Sequence, residues 1–86
     1  MPEIRFTRHC LTELAEIDAG CSPSERDTLE SALALLAAEP GRRGSYPSHY
    51  DPEHPSYLFR AAPFVIHYHV ADDGVVVFLN VFWQRP

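Results

Sequence analysis

The sequence contains no lysine: all seven basic residues are arginine, set against twelve aspartates and glutamates, for a formal net charge of −5. Phosphate binding draws on Lys and Arg, so an acidic chain is poorly steered toward nucleic acid and any such role must rest on a local arginine cluster. No apolar run approaches the ~20 residues that span a bilayer, so no membrane helix is expected. The opening Met1-Pro2-Glu3-Ile4-Arg5 lacks the apolar segment of a signal peptide, and a cytoplasmic protein is expected. Cysteine occurs only at Cys10 and Cys21. In a cytosolic chain these are expected as free thiols. Nucleotide-binding glycine loops, nucleophile motifs, H-x-x-x-H and C-x-x-C are all missing, and no cofactor or metal is expected.

What is present is a globular composition, 45% hydrophobic and 22% charged over 86 residues. That length makes one domain, residues 1–86, with a modest core. The stretch Tyr57–Trp83 organises it. Tyr57–Arg60, Phe64–Val70 and Val75–Trp83 are rich in β-branched and aromatic residues and read as strands. Asp73-Gly74 predicts a two-residue type I′ hairpin turn between the last two. Arg60-Ala61-Ala62-Pro63 is a second short connection, with Pro63 placed where a strand can begin. The result is an antiparallel three-strand meander. Alternation puts Phe64, Ile66, Tyr68 and Val70 on one face and Val65, His67 and His69 on the other. The last strand is apolar nearly throughout, which predicts a central strand buried on both sides.

Upstream, Ile4–Thr7 reads as a short strand with Ile4 and Phe6 sharing a face, and Thr7 can cap a following helix. In that helix Cys10, Leu14 and Ile17 share a stripe with Leu11 and Ala15 beside them. Glu13, Glu16 and Asp18 are expected to point away, and Gly20 to stop the helix. Ser22-Pro23-Ser24-Glu25 is a capping box with proline at the first helical position. The second helix then runs to about Glu39 through Leu29, Ala32, Leu33 and Leu36. The short link implies an antiparallel helical hairpin laid on the apolar face of the meander. The expected fold is therefore α+β, two antiparallel helices on one face of a mainly antiparallel sheet, in the order β-α-α-β-β-β. Residues 40–56, rich in proline and glycine, read as a loop with little regular structure.

This succession resembles the RelE/ParE toxin superfamily of bacterial type II toxin–antitoxin modules over essentially the whole chain. The similarity runs from Ile4-Arg5-Phe6-Thr7 into a helix with Cys10, Leu14 and Ile17 at small-x3-Leu-x2-Leu spacing. It continues through a second helix ending at Glu39-Pro40, Tyr57-Leu58-Phe59-Arg60, Val65-Ile66-His67-Tyr68, the acidic turn Asp72-Asp73-Gly74 and a close on Gln84-Arg85. Arg60, Tyr68 and Arg85 match residue by residue. Val65 stands where the family often has arginine, Gln84-Arg85 where it commonly has His-Arg, and the family nucleases' lysines are missing. The resemblance implies a toxin with a cognate antitoxin partner, acting as a ribosome-dependent mRNA endonuclease on ribosome-bound mRNA. Its alternative is a non-catalytic toxin or binding protein, either aimed at DNA gyrase or confined to binding the antitoxin.

Cleavage through the ribose 2′-oxygen needs a base, an acid and cations for the charge on phosphorus. Arg60 can clamp phosphate through its planar fork, Arg85 can assist, and His67 or His69 can move protons. Arg42 and Arg43, with Tyr68, are the candidate substrate contacts. Each has a plainer reading. His67 and His69 are equally the polar side of a half-buried strand, and Arg60 a partner for an acid such as Asp72 or a solvated edge residue. Arg42-Arg43 can merely complement the negative end of the long helix. Trp83, Phe82 and Tyr57 can stack bases but suit a core or a partner interface better. His49, Asp51, Glu53 and His54 are the one metal-like set, and read best as a solvated loop.

Overall fold

The computed structural model describes residues 4–39, 45–48, 56–71 and 73–84, with the backbone alone at 45–48. Strand β1 (Ile4–Phe6) leads into helix α1 (Arg8–Gly20) and helix α2 (Pro23–Ala38). Strands β2 (Ser45–Ser48), β3 (Ser56–Ala61), β4 (Phe64–Val70) and β5 (Val76–Trp83) follow. They form one five-stranded sheet in the order β1-β5-β4-β3-β2. The pairs β2–β3, β3–β4 and β4–β5 are antiparallel, while β1 runs parallel to β5. The two-helix, mainly antiparallel α+β architecture is the expected one, with a further strand at one edge.

That strand corrects the expectation of an irregular 40–56 segment. Ser45–Ser48 pairs with β3 in the register Pro47↔Tyr57, at the outer edge of the sheet. An edge strand accommodates proline because the missing N–H need not serve a second neighbour.

The helix starts form as their sequences dictate. Thr7 accepts from Cys10 N–H at 3.1 Å, and Ser22 and Glu25 complete a reciprocal capping box at 3.1 and 2.9 Å. Arg26 closes the hairpin between the helices, binding the Asp18 carboxylate at 2.8 Å and the Asp18 carbonyl at 3.1 Å. Helix α1 ends at Gly20 as expected, but by an extended Cys21 cap rather than a left-handed glycine. The expected type I′ turn is likewise replaced. Gly74 is the one described residue at positive φ, +85°, and Asp73 is not. Ala71 and Val75 are bonded across the turn at 2.9 Å, and Gly74 N–H returns to Ala71 at 2.8 Å. Three residues separate that bonded pair, and hairpin loops of that length need one left-handed glycine, not two such residues.

Cys10, Ile17, Leu29, Ala32 and Leu36 from the helices meet Phe64, Ile66, Tyr68, Val76, Phe78 and Val81 from the sheet. Partly buried Phe6 stacks on Phe78, and Tyr68 packs between Tyr57 and Phe78. The core is thus one-sided, and β5 is buried mainly on that side: Phe82 stands 47% exposed on the other. Between His67 and Tyr68 the β4–β5 register shifts, from His67↔Asn80 to Tyr68↔Phe78. Leu79 is the extra residue, a bulge that keeps both Val81 and Phe78 on the core face.

Candidate functional site

The face away from the helices carries the chemistry. Because strand partners share a face, the register sorts it into rows. Arg60 of β3 faces Val65 of β4 and then Phe82 of β5. Leu58, His67 and Asn80 form a second row, and His69, Val77 and Arg5 a third. Arg60 is exposed and makes no ion pair among the described residues, so its guanidinium is available to a ligand. Phe82, two strands along the same row, offers a flat apolar surface.

His67 and His69 share this face but not an environment. His69 is half-buried, whereas His67 is 7% exposed and engaged at both ring nitrogens. Nδ1 lies 3.1 Å from Asn80 Oδ1 and Nε2 lies 2.8 Å from Ser56 Oγ, itself buried. Asn80 Nδ2 continues the chain to Glu13 Oε1 at 3.4 Å, and the same oxygen accepts Val81 N–H at 3.1 Å. Glu13, expected to point away from the apolar stripe, is drawn to the sheet because β1 pairs β5 only as far as Phe78 and leaves the Val81 N–H without a strand neighbour. His9 closes on the other Glu13 oxygen at 3.6 Å.

Tyr68, the remaining described candidate, is a core residue. It is fully buried on the helix face between two aromatic rings, because alternation places it with Phe64 and Ile66. Arg42, Arg43 and Arg85 lie outside the described residues, as do Asp72 and the His49–His54 set. Among the described residues no three metal-ligating side chains converge. Arg5 is the cation that sequence reasoning missed. It is exposed on the same face as Arg60, and the shared face of Ile4 and Phe6 already implied this. Four residues along β4 and three strand spacings separate the two arginine positions, roughly 20 Å, so the pair cannot clamp one phosphate.

Beside this face, α1 and the end of β5 enclose a depression of about 320 Å³ lined by Glu13, Glu16, Ile17, Val81, Phe82 and Trp83. On the helix side a groove of about 280 Å³ runs between the helices past Leu14, Cys21, Leu29 and Leu33. No described helix is long and apolar enough to cross a membrane.

No protein-family model matches the chain, and no curated protein matches it significantly by sequence. Solved structures do match. A chain of the archaeal RelE–RelB complex from Pyrococcus horikoshii superposes with a TM-score of 0.74 at 14% identity, covering 96% of this chain and 94% of that one. The RelBE2 toxin–antitoxin complex of Mycobacterium tuberculosis gives 0.72 at 23% identity over 96% and 99%. The isolated E. coli RelE toxin gives 0.69 at 17% identity over 100% and 87%. The fold is that of the RelE toxins. On this RelE scaffold the position where the family pattern often carries arginine is Val65, 7% exposed and apolar. Arg60 is therefore the exposed guanidinium in its row of the open face.

Proposed function

We propose that the chain is the toxin of a toxin–antitoxin pair. The observation that carries this reading is full-length superposition on the isolated E. coli RelE toxin, joined by matches to chains of RelE–RelB and RelBE2 complexes. The partner is a small antitoxin, laid along the apolar groove between the helices or an exposed sheet edge. On the open face Arg60 holds a phosphate of ribosome-bound mRNA through its bidentate fork, and Phe82 offers a base-stacking surface. His69, half-buried on the same face, is the candidate proton carrier beside the buried His67.

A second reading keeps the toxin role and drops the nuclease. The net charge of −5 without lysine and the apolar Val65 favour a protein that binds DNA gyrase, or only its antitoxin, without cutting RNA. Induced expression with separate measurement of translation, mRNA integrity and DNA supercoiling separates them. Translation arrest with mRNA cleavage supports the nuclease, and altered supercoiling with intact mRNA supports the gyrase reading. Growth unaffected by induction, with no co-purifying product of an adjacent short reading frame, overturns the toxin proposal itself.

A further inference from the structure

His67, Asn80 and Glu13 form a chain of hydrogen bonds whose direction is decided at one end. An imidazole and an amide side chain can each be satisfied two ways, because each presents one donor and one acceptor along this line. In one arrangement Asn80 Oδ1 accepts from His67 Nδ1–H, and His67 Nε2 accepts from the Ser56 hydroxyl. In the other, the amide is turned over, Nδ1 accepts, and Nε2–H donates to Ser56. With Ser56 and Asn80 alone, both arrangements are fully hydrogen-bonded. Glu13 breaks the tie, because a carboxylate oxygen accepts only. Oε1 is already fixed by Val81 N–H at 3.1 Å and sits 3.4 Å from the Asn80 amide. Turning the amide over would set two acceptor oxygens against each other.

We infer that Glu13 of α1 is a positioning residue that, through Asn80, holds His67 as the Nδ1–H tautomer with Nε2 kept as an acceptor toward Ser56. The effect crosses three strands without any direct contact between Glu13 and the ring. It is independent of what the open face acts on, since a chain harmless to its host would show the same protonation pattern.

The tautomer is read directly by ¹⁵N spectroscopy of the histidine rings in the full chain, well above the imidazole titration range, with His67 assigned by its loss in His67→Gln. In the wild type Nδ1 is protonated over Nε2 by more than about tenfold. Glu13→Ala removes the deciding acceptor and brings the two tautomers to comparable populations or reverses them. Asn80→Leu, which leaves Glu13 its bond to Val81, also loses the preference and serves if Glu13→Ala does not fold. Ser56→Ala leaves Nδ1–H dominant. An Nε2–H wild type overturns the inference. So does an unchanged tautomer in Glu13→Ala or Asn80→Leu, or a Ser56→Ala shift as large as that of Glu13→Ala, which would make the serine the deciding group.

Discussion

Glu13 in α1 accepts the backbone N–H of Val81 in β5 at 3.1 Å, across 68 residues of chain. This bond completes an edge that β1 is too short to cover. Beyond the Phe6↔Phe78 pair, Thr7 N–H binds the Phe78 carbonyl at 3.1 Å and Thr7 Oγ1 donates to the Leu79 carbonyl at 3.0 Å. The helix thus takes over where the strand stops. Glu13→Ala leaves the Val81 N–H unanswered at a partly buried site and is expected to cost about 1–3 kcal/mol. Glu13→Gln retains an acceptor oxygen and should lose less. Urea unfolding should show a lower midpoint with unchanged slope.

Cys10 is completely buried, and desolvation, with the Glu13 charge adding to it, pushes its thiol from 9.0 up to about 11. The folded state therefore favours the neutral thiol. Its contribution is fully present below the unfolded value and is lost as pH rises through the folded one. Stability should fall between about pH 9 and 11 by roughly 2–3 kcal/mol from this group. The difference between wild type and Cys10→Ala in unfolding free energy, measured across that window, isolates it. An equal alkaline loss in both proteins would assign the effect elsewhere. In the folded protein a thiol reagent should modify half-buried Cys21 well before Cys10.

Tyr68 tests whether a residue matching the family pattern acts through chemistry or through packing. It is fully buried, 5.7 Å from the Tyr57 ring and 6.5 Å from Phe78 by centroid. Tyr68→Ala should cost about 3–5 kcal/mol as a large-to-small core change. Circular dichroism and thermal melting should register that loss before any activity assay. A Tyr68→Ala protein as stable as wild type but inactive would restore it to the site.

The parts of the fold that were legible are those with local causes. The Ser22 capping box, the Thr7 cap and the Phe64–Val70 strand each depend on neighbours within a few residues, and each forms as read, although Val65 and His67 on the open face are buried too. β2 was not legible because Ser45-Tyr46-Pro47-Ser48 carries one strand former and a proline, and gains its structure only from pairing with β3. The site was half legible. Alternation put His67 and His69 off the helix face, but Arg60 joins them only through its pairing with Val65, and His67's burial depends on Ser56, Asn80 and Glu13, far apart in sequence. The bulge that brings Asn80 between the other two leaves no trace in a run of apolar residues.

Arg60 carries the sharpest functional expectation. It is exposed, unbridged among the described residues, and shares its row of the open face with Val65 and Phe82. Among the described residues nothing in the core leans on its guanidinium, so Arg60→Ala should melt within a few degrees of wild type and still bind the proposed antitoxin. If the face handles a phosphodiester, the lost charge contact to the transition state lowers RNA cleavage by about a hundredfold. Arg60→Lys should recover only part of that, because an ammonium lacks the planar bidentate fork. His69→Ala should lower cleavage as well. His67→Ala should lower stability first, since it breaks bonds to Ser56 and Asn80 inside the sheet. Growth arrest on induction, RNA cleavage and melting temperature, measured on all four variants, separate these outcomes. A fully toxic Arg60→Ala would remove the phosphate-clamp role and leave the gyrase or antitoxin-binding reading of this face.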